Sequence, residues 1–105
     1  MSQTEIVSQE VFQRAVKKGD ASELKRLLQR WEGGSLNVNL YDHEGQTALH
    51  KSVMEGNLEL VKLLVKFGAD TRLANRDGWS AIHIAAYGGH QDIALYLISN
   101  SGGRR

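Results

Sequence analysis

Leu60, Val61, Leu63, Leu64, Val65 and Phe67 wrap more than one narrow stripe of a helix. That pattern predicts a helix with neighbours on two sides. Leu60 through Val65 returns as Ile93 through Ile98, and Gly45-Gln46-Thr47-Ala48-Leu49-His50 returns as Gly78-Trp79-Ser80-Ala81-Ile82-His83, an offset of 83 − 50 = 33. Gly56-Asn57 returns as Gly89-His90 at the same offset. A more degraded copy lies upstream: Ala15-Val16-Lys17-Lys18-Gly19 matches Ser52-Val53-Met54-Glu55-Gly56 at 56 − 19 = 37, and Leu27-Leu28 lands on Leu64-Val65. The extra 37 − 33 = 4 residues fit in Trp31-Glu32-Gly33-Gly34-Ser35, where paired glycines mark a loop. A period of this length predicts stacked structural repeats.

Each copy carries its own start and stop signals. Thr47 and Ser80 are suited to cap a first helix, and Asn57 a second. Asp20-Ala21-Ser22-Glu23 reads as a capping-box variant in the first copy. Gly19, Gly56 and Gly89 fall where a helix–helix turn needs a permissive backbone, and Gly68 ends the second helix of the middle copy. Asp42-His43-Glu44-Gly45 and Asn75-Arg76-Asp77-Gly78 read as hairpin tips. The expected fold is all-α: three helix-turn-helix repeats at about 9–36, 42–74 and 75–101, joined by short β-hairpin-like loops. Residues 1–8 and 102–105 are expected to be flexible ends.

Composition narrows the function. Hydrophobic residues at 41% and charged residues at 24% argue against wholesale disorder. With no cysteine, neither a disulfide framework nor a thiolate metal site is available, and a reducing, intracellular setting is expected, with presence in nucleus or cytoplasm following from the partners. No apolar run approaches the ~20 residues of a membrane span, and the first residues lack a signal-peptide pattern. A net charge of +1 excludes a strongly basic nucleic-acid binder. Four histidines invite a metal or catalytic reading. His50 and His83 share one repeat slot, however, while His90 sits in a turn and His43 on a hairpin tip, and none has acidic partners at zinc-site spacing. No serine or acidic pair has an identifiable base or partner, and the glycine pairs lack a phosphate-loop context. A binding module with no catalytic, metal or cofactor site is expected, rather than an enzyme.

The charge gradient along the copies points to a surface. Residues 12–30 hold eight charged side chains, the matching 46–68 hold five, and 79–101 hold one, Asp92. A terminal repeat ordinarily presents a polar outer face to water; the first copy follows that rule and the third does not. The far flank of the third copy is therefore expected to be apolar and uncovered, a partner site rather than plain surface. Trp79, Ala85, Ala86, Tyr87, Ile93 and Leu97 are the candidate contacts, with Trp79 and Tyr87 as aromatic anchors. Arg14, Lys17, Lys18 and Arg26 form a candidate secondary basic face. A competing reading places binding on the concave side, through Lys51, Arg76 and Asp77.

Gly45-Gln46-Thr47-Ala48-Leu49-His50, the run Gly56 through Val65, and Phe67-Gly68-Ala69-Asp70 resemble the ankyrin repeat. The resemblance implies an ankyrin-repeat solenoid over about residues 9–101, in which His50 and His83 bond the preceding Thr or Ser and the hairpin backbone. The family's usual proline after the Thr is alanine at both Ala48 and Ala81, which costs some rigidity but keeps a strong helix former. Glu44 through His50, Gly56 through Asp70, Arg72 through Ala81, and Gly88-Gly89-His90-Gln91-Asp92-Ile93 are similar, more narrowly, to the family of small three-repeat Notch-regulated ankyrin proteins. That similarity implies a negative-feedback regulator that binds the Notch intracellular domain, itself an ankyrin stack, and its DNA-binding partner CSL in one complex, and lowers transcriptional output by favouring loss of the Notch fragment. It also implies a Wnt link through a lymphoid enhancer-binding factor. Neither direct nucleic-acid binding nor membrane binding is implied.

Overall fold

A computed structural model describes residues 2–30 and 37–100. Six helices follow one another: α1 (Ser2–Lys18), α2 (Ala21–Arg30), α3 (Ala48–Met54), α4 (Leu58–Lys66), α5 (Ala81–Tyr87) and α6 (Gln91–Asn100), with no strand among the described residues. Each odd-numbered helix pairs with the even-numbered helix after it, giving three helix-turn-helix units. α3 packs against both α1 and α5, and α4 against both α2 and α6, so the units stack into two helical layers. α1 begins at Ser2 and so includes residues expected to precede the first repeat; no glycine or proline interrupts the chain before Gly19. The loop around Trp31 and the tail 102–105 lie outside the described residues.

Local chemistry starts the helices where the repeat pattern places them. The Thr47 and Ser80 hydroxyls accept the backbone N–H of His50 and His83, and Asn57 Oδ1 accepts that of Leu60. In α2, Asp20 Oδ1 accepts the Glu23 N–H at 3.0 Å. The loops between units close as hairpin-like turns: Asp42 N–H donates to Gln46 O and Gly45 N–H to Asp42 O, each at 2.9 Å, and Asn75, Gly78 and Trp79 repeat the pattern. Gly45 is required twice over. Its φ is +76°, and a Cβ there would stand 2.5 Å from Arg76 Cβ, where the next turn stacks against it.

Packing closes the middle unit on both sides. Leu49, Val53, Leu60, Val61 and Leu64 are buried, sharing one core with Phe12, Ala15, Leu24, Ala85, Ile93 and Leu97 from the flanking units. Asn57 Nδ2 reaches back to the Gly19 carbonyl at 3.1 Å, tying the second turn to the first.

His50 is the polar centre of this core. Thr47 N–H donates to its Nδ1 at 3.0 Å, and Nε2 lies 3.0 Å from the Leu73 carbonyl of the following unit. A carbonyl only accepts, so Nε2 carries the proton and the ring is neutral. Burial holds its pKa below the ordinary 6.5, against the opposing pull of the Leu73 carbonyl and Asp42. A native pKa below the unfolded one means that the stabilising contribution is complete above about pH 6.5 and is lost as pH falls through the lowered value. Denaturant titrations between pH 7.5 and 4.5 will show stability falling with acid, and His50→Gln will flatten that part of the curve.

Candidate functional site

The terminal surface emerges from comparing equivalent slots, offset by 33, in the second and third units. Val53 is 0% exposed, covered by the third unit, while its counterpart Ala86 is exposed. His50 is buried and His83 exposed; Leu49 and Val61 are buried, whereas Ile82 and Ala94 are half-buried. Among the described residues no element covers α5 on the side away from α3. The third unit thus presents the face that the second unit buries.

His83 shows the same asymmetry in hydrogen bonding. Ser80 N–H donates to its Nδ1 at 3.3 Å and Ser80 Oγ lies 2.9 Å away, matching His50 and Thr47. The forward bond that His50 makes to Leu73 has no counterpart at His83 among the described residues. Its Nε2 remains available to a backbone carbonyl.

Beside it, Trp79 and Tyr87 pack edge to face, with ring centroids 5.1 Å apart and planes at 87°. Together with Gly78, His83 and Ala86 they line an open concavity of about 540 Å³. Tyr87 is 83% exposed, an unusual position for so large an aromatic. The corresponding slots in the second unit hold Gln46 and Met54, and Gln46 Oε1 there accepts from Asn75 Nδ2 of the next turn at 3.1 Å. Leu95, on α6, is 63% exposed but does not line this concavity.

The sequence-based candidates therefore separate. Trp79, Ala86 and Tyr87 come together at the terminal concavity. Ala85, Ile93 and Leu97 do not: each is 0% exposed and belongs to the core. Their side chains fill the space between α5, α6 and the second unit and cannot meet a partner without unfolding the repeat. His83 lines the concavity as well; the repeat pattern gives no signal of this, since it assigns His50 and His83 one structural role. Arg14, Lys17 and Lys18 are exposed on α1 and Arg26 on α2, with Lys18 Nζ 3.8 Å from Glu23.

At the hairpin tip, where the competing reading places binding, Lys51 Nζ is engaged by Asp42 at 3.2 Å and Glu44 at 3.8 Å. Burial pushes the Asp42 carboxyl up, but the N–H groups of Gln46 and Glu44 and the Lys51 ammonium outweigh it and hold it below its ordinary value. This cluster braces the hairpin tip. No group of three His, Asp or Glu that could hold a metal ion occurs among the described residues. None of their helices is long and apolar enough to cross a membrane.

The family model for ankyrin repeats matches residues 12–104. The Notch-regulated ankyrin repeat-containing protein of Xenopus tropicalis is 69% identical over 94 residues, covering 90% of this chain and 82% of that protein. Its human namesake is 63% identical over 107 residues, covering 96% and 94%. The chain belongs to the ankyrin-repeat family, among the Notch-regulated ankyrin repeat-containing proteins. A more distant ankyrin relative, protein phosphatase 1 regulatory subunit 27 of mouse, is 39% identical over 89 residues, 85% of this chain and 56% of that protein. Ankyrin repeats imply a protein-interaction module.

The burial contrast has a direct mutational consequence. Ala85→Trp will overpack the core and cost more than about 3 kcal/mol, at or beyond the usual upper range for added core bulk. Ala86→Trp, one residue on, will change stability by less than about 0.5 kcal/mol, as exposed sites do. Urea unfolding followed by far-UV circular dichroism distinguishes the two.

Proposed function

We propose that this chain is a non-catalytic negative regulator of Notch signalling, whose third repeat stacks on a terminal ankyrin repeat of the Notch intracellular domain. The observation that carries this reading is the exposure of Ala86 in the slot where Val53 is fully buried by the following repeat. A surface of that shape is complementary to another repeat, and the Notch fragment brings an ankyrin stack of its own. Ile82, Ala86 and Ala94 would lose water on stacking, Trp79 and Tyr87 would anchor the rim, and His83 Nε2 would donate to a carbonyl of the incoming loop.

CSL is the second proposed partner, reached through the basic residues Arg14, Lys17, Lys18 and Arg26 at the other end of the stack. Two modest contacts held by one rigid solenoid gain from effective concentration when Notch and CSL are already assembled. Such a protein needs no active site. It lowers output by occupying the assembled complex and favouring loss of the Notch fragment.

Co-purification with the Notch ankyrin domain and CSL, singly and together, tests the proposal. Wild type will be retained strongly by the pair and weakly by either alone. Ala86→Trp will lose retention by the Notch domain while keeping wild-type unfolding behaviour. Undiminished retention of that variant would exclude the terminal flank.

A further inference from the structure

A second concavity lies on different elements, in the outer layer between α2 and α4, with a volume of about 430 Å³. Lys25 lines it from α2, Lys62 and Lys66 from α4, and Ala21 and the buried Leu63 supply apolar surface. One carboxylate, Glu59, stands on its rim.

These three ammonium groups differ from Lys18, Lys51 and Arg72, which are each held in ion pairs. Lys25, Lys62 and Lys66 pair with no carboxylate among the described residues. Lys62 Nζ instead lies 5.8 Å from the centroid of the Tyr96 ring. Their placement follows the repeat: Lys25 and Lys62 fill one slot, since 62 − 25 = 37, and Lys66 is one helical turn beyond Lys62. The same slots in the third unit hold Leu95 and Ser99, so the cationic row ends there.

We propose that this cleft holds an extended acidic peptide segment of a partner protein. Residues i and i+2 of an extended chain stand about 6.6–6.8 Å apart, close to the ~5–6 Å between side chains at i and i+4 of a helix. Alternate carboxylates on one edge of the peptide therefore meet Lys62 and Lys66, and the carboxylate between them turns toward Lys25 on the opposite wall. The peptide backbone lies over Leu63 and Ala21. A nucleic-acid backbone fits less well, because the lining is partly apolar and the chain's net charge is only +1. The site shares no residue with the terminal flank and stands whether or not that flank binds Notch.

The test is fluorescence anisotropy on the full chain, using a short fluorescein-labelled peptide of consecutive Glu residues flanked by Leu. Saturable binding is expected that weakens with added salt. Lys62→Glu with Lys66→Glu should weaken it roughly fivefold or more. Arg72→Glu, of the same charge change per site but outside the cleft, should leave it unchanged. Should the double reversal unfold the chain by circular dichroism, Lys25→Gln at its exposed site carries the same comparison. Absence of saturable binding, equal loss with Arg72→Glu, or tighter binding of a single-stranded oligonucleotide with the same charge dependence would each overturn the proposal.

Discussion

The His50 imidazole is bonded in two directions: Nδ1 to the Thr47 cap of its own helix, and Nε2 to the Leu73 carbonyl of the next unit. The cap of one repeat is thereby completed by its successor, and the apolar face beside it follows the same rule. Val53 and Val61 reach full burial only because α5 and α6 lie over them. A solenoid's stability is a sum of intrinsic repeat terms and nearest-neighbour terms. The third unit has the intrinsic terms and the backward interface, and His83 displays half of the hydrogen-bonding pattern. A partner that supplies the other half needs only to be shaped like a repeat.

This constraint explains why so much of the fold is legible in the sequence. An offset of 33 between matching motifs, caps at Thr47, Ser80 and Asn57, and a glycine at each helix turn locate the helices of the second and third units without tertiary information. The identity of the buried side chains is less legible. α5 and α6 each contact two other helices, so apolar character alone does not separate Ala85 from Ala86, or Ile93 and Leu97 from Leu95. Slot comparison does part of that work. Ala15, Ser52 and Ala85 share a slot that stays small and buried in all three units, whereas the Val16, Val53 and Ala86 slot becomes exposed only in the third. The Trp79–Tyr87 contact joins a loop end to a helix end, and no periodicity encodes it.

Two surfaces with different physics result. The terminal flank is nearly uncharged, apolar and rimmed by aromatics, so the stacking proposed there would draw its affinity from removing surface from water and respond weakly to salt. The outer cleft between α2 and α4 is cationic and solvated, so contacts there are individually weak and screened. The sequence shows a charge gradient along the stack but not the cleft itself. Lys25 and Lys62 are 37 residues apart and meet only because their units stack.

Hydrogen exchange measured by mass spectrometry, on the lone chain and on the chain bound to the Notch ankyrin domain and CSL, tests the central claim most directly. Stacking predicts that amides of residues 78–100 exchange rapidly in the lone chain and gain the largest protection on binding, with the tips at 42–45 little changed. Protection confined to the hairpin tips, or residues 78–100 already fully protected in the lone chain, would contradict it.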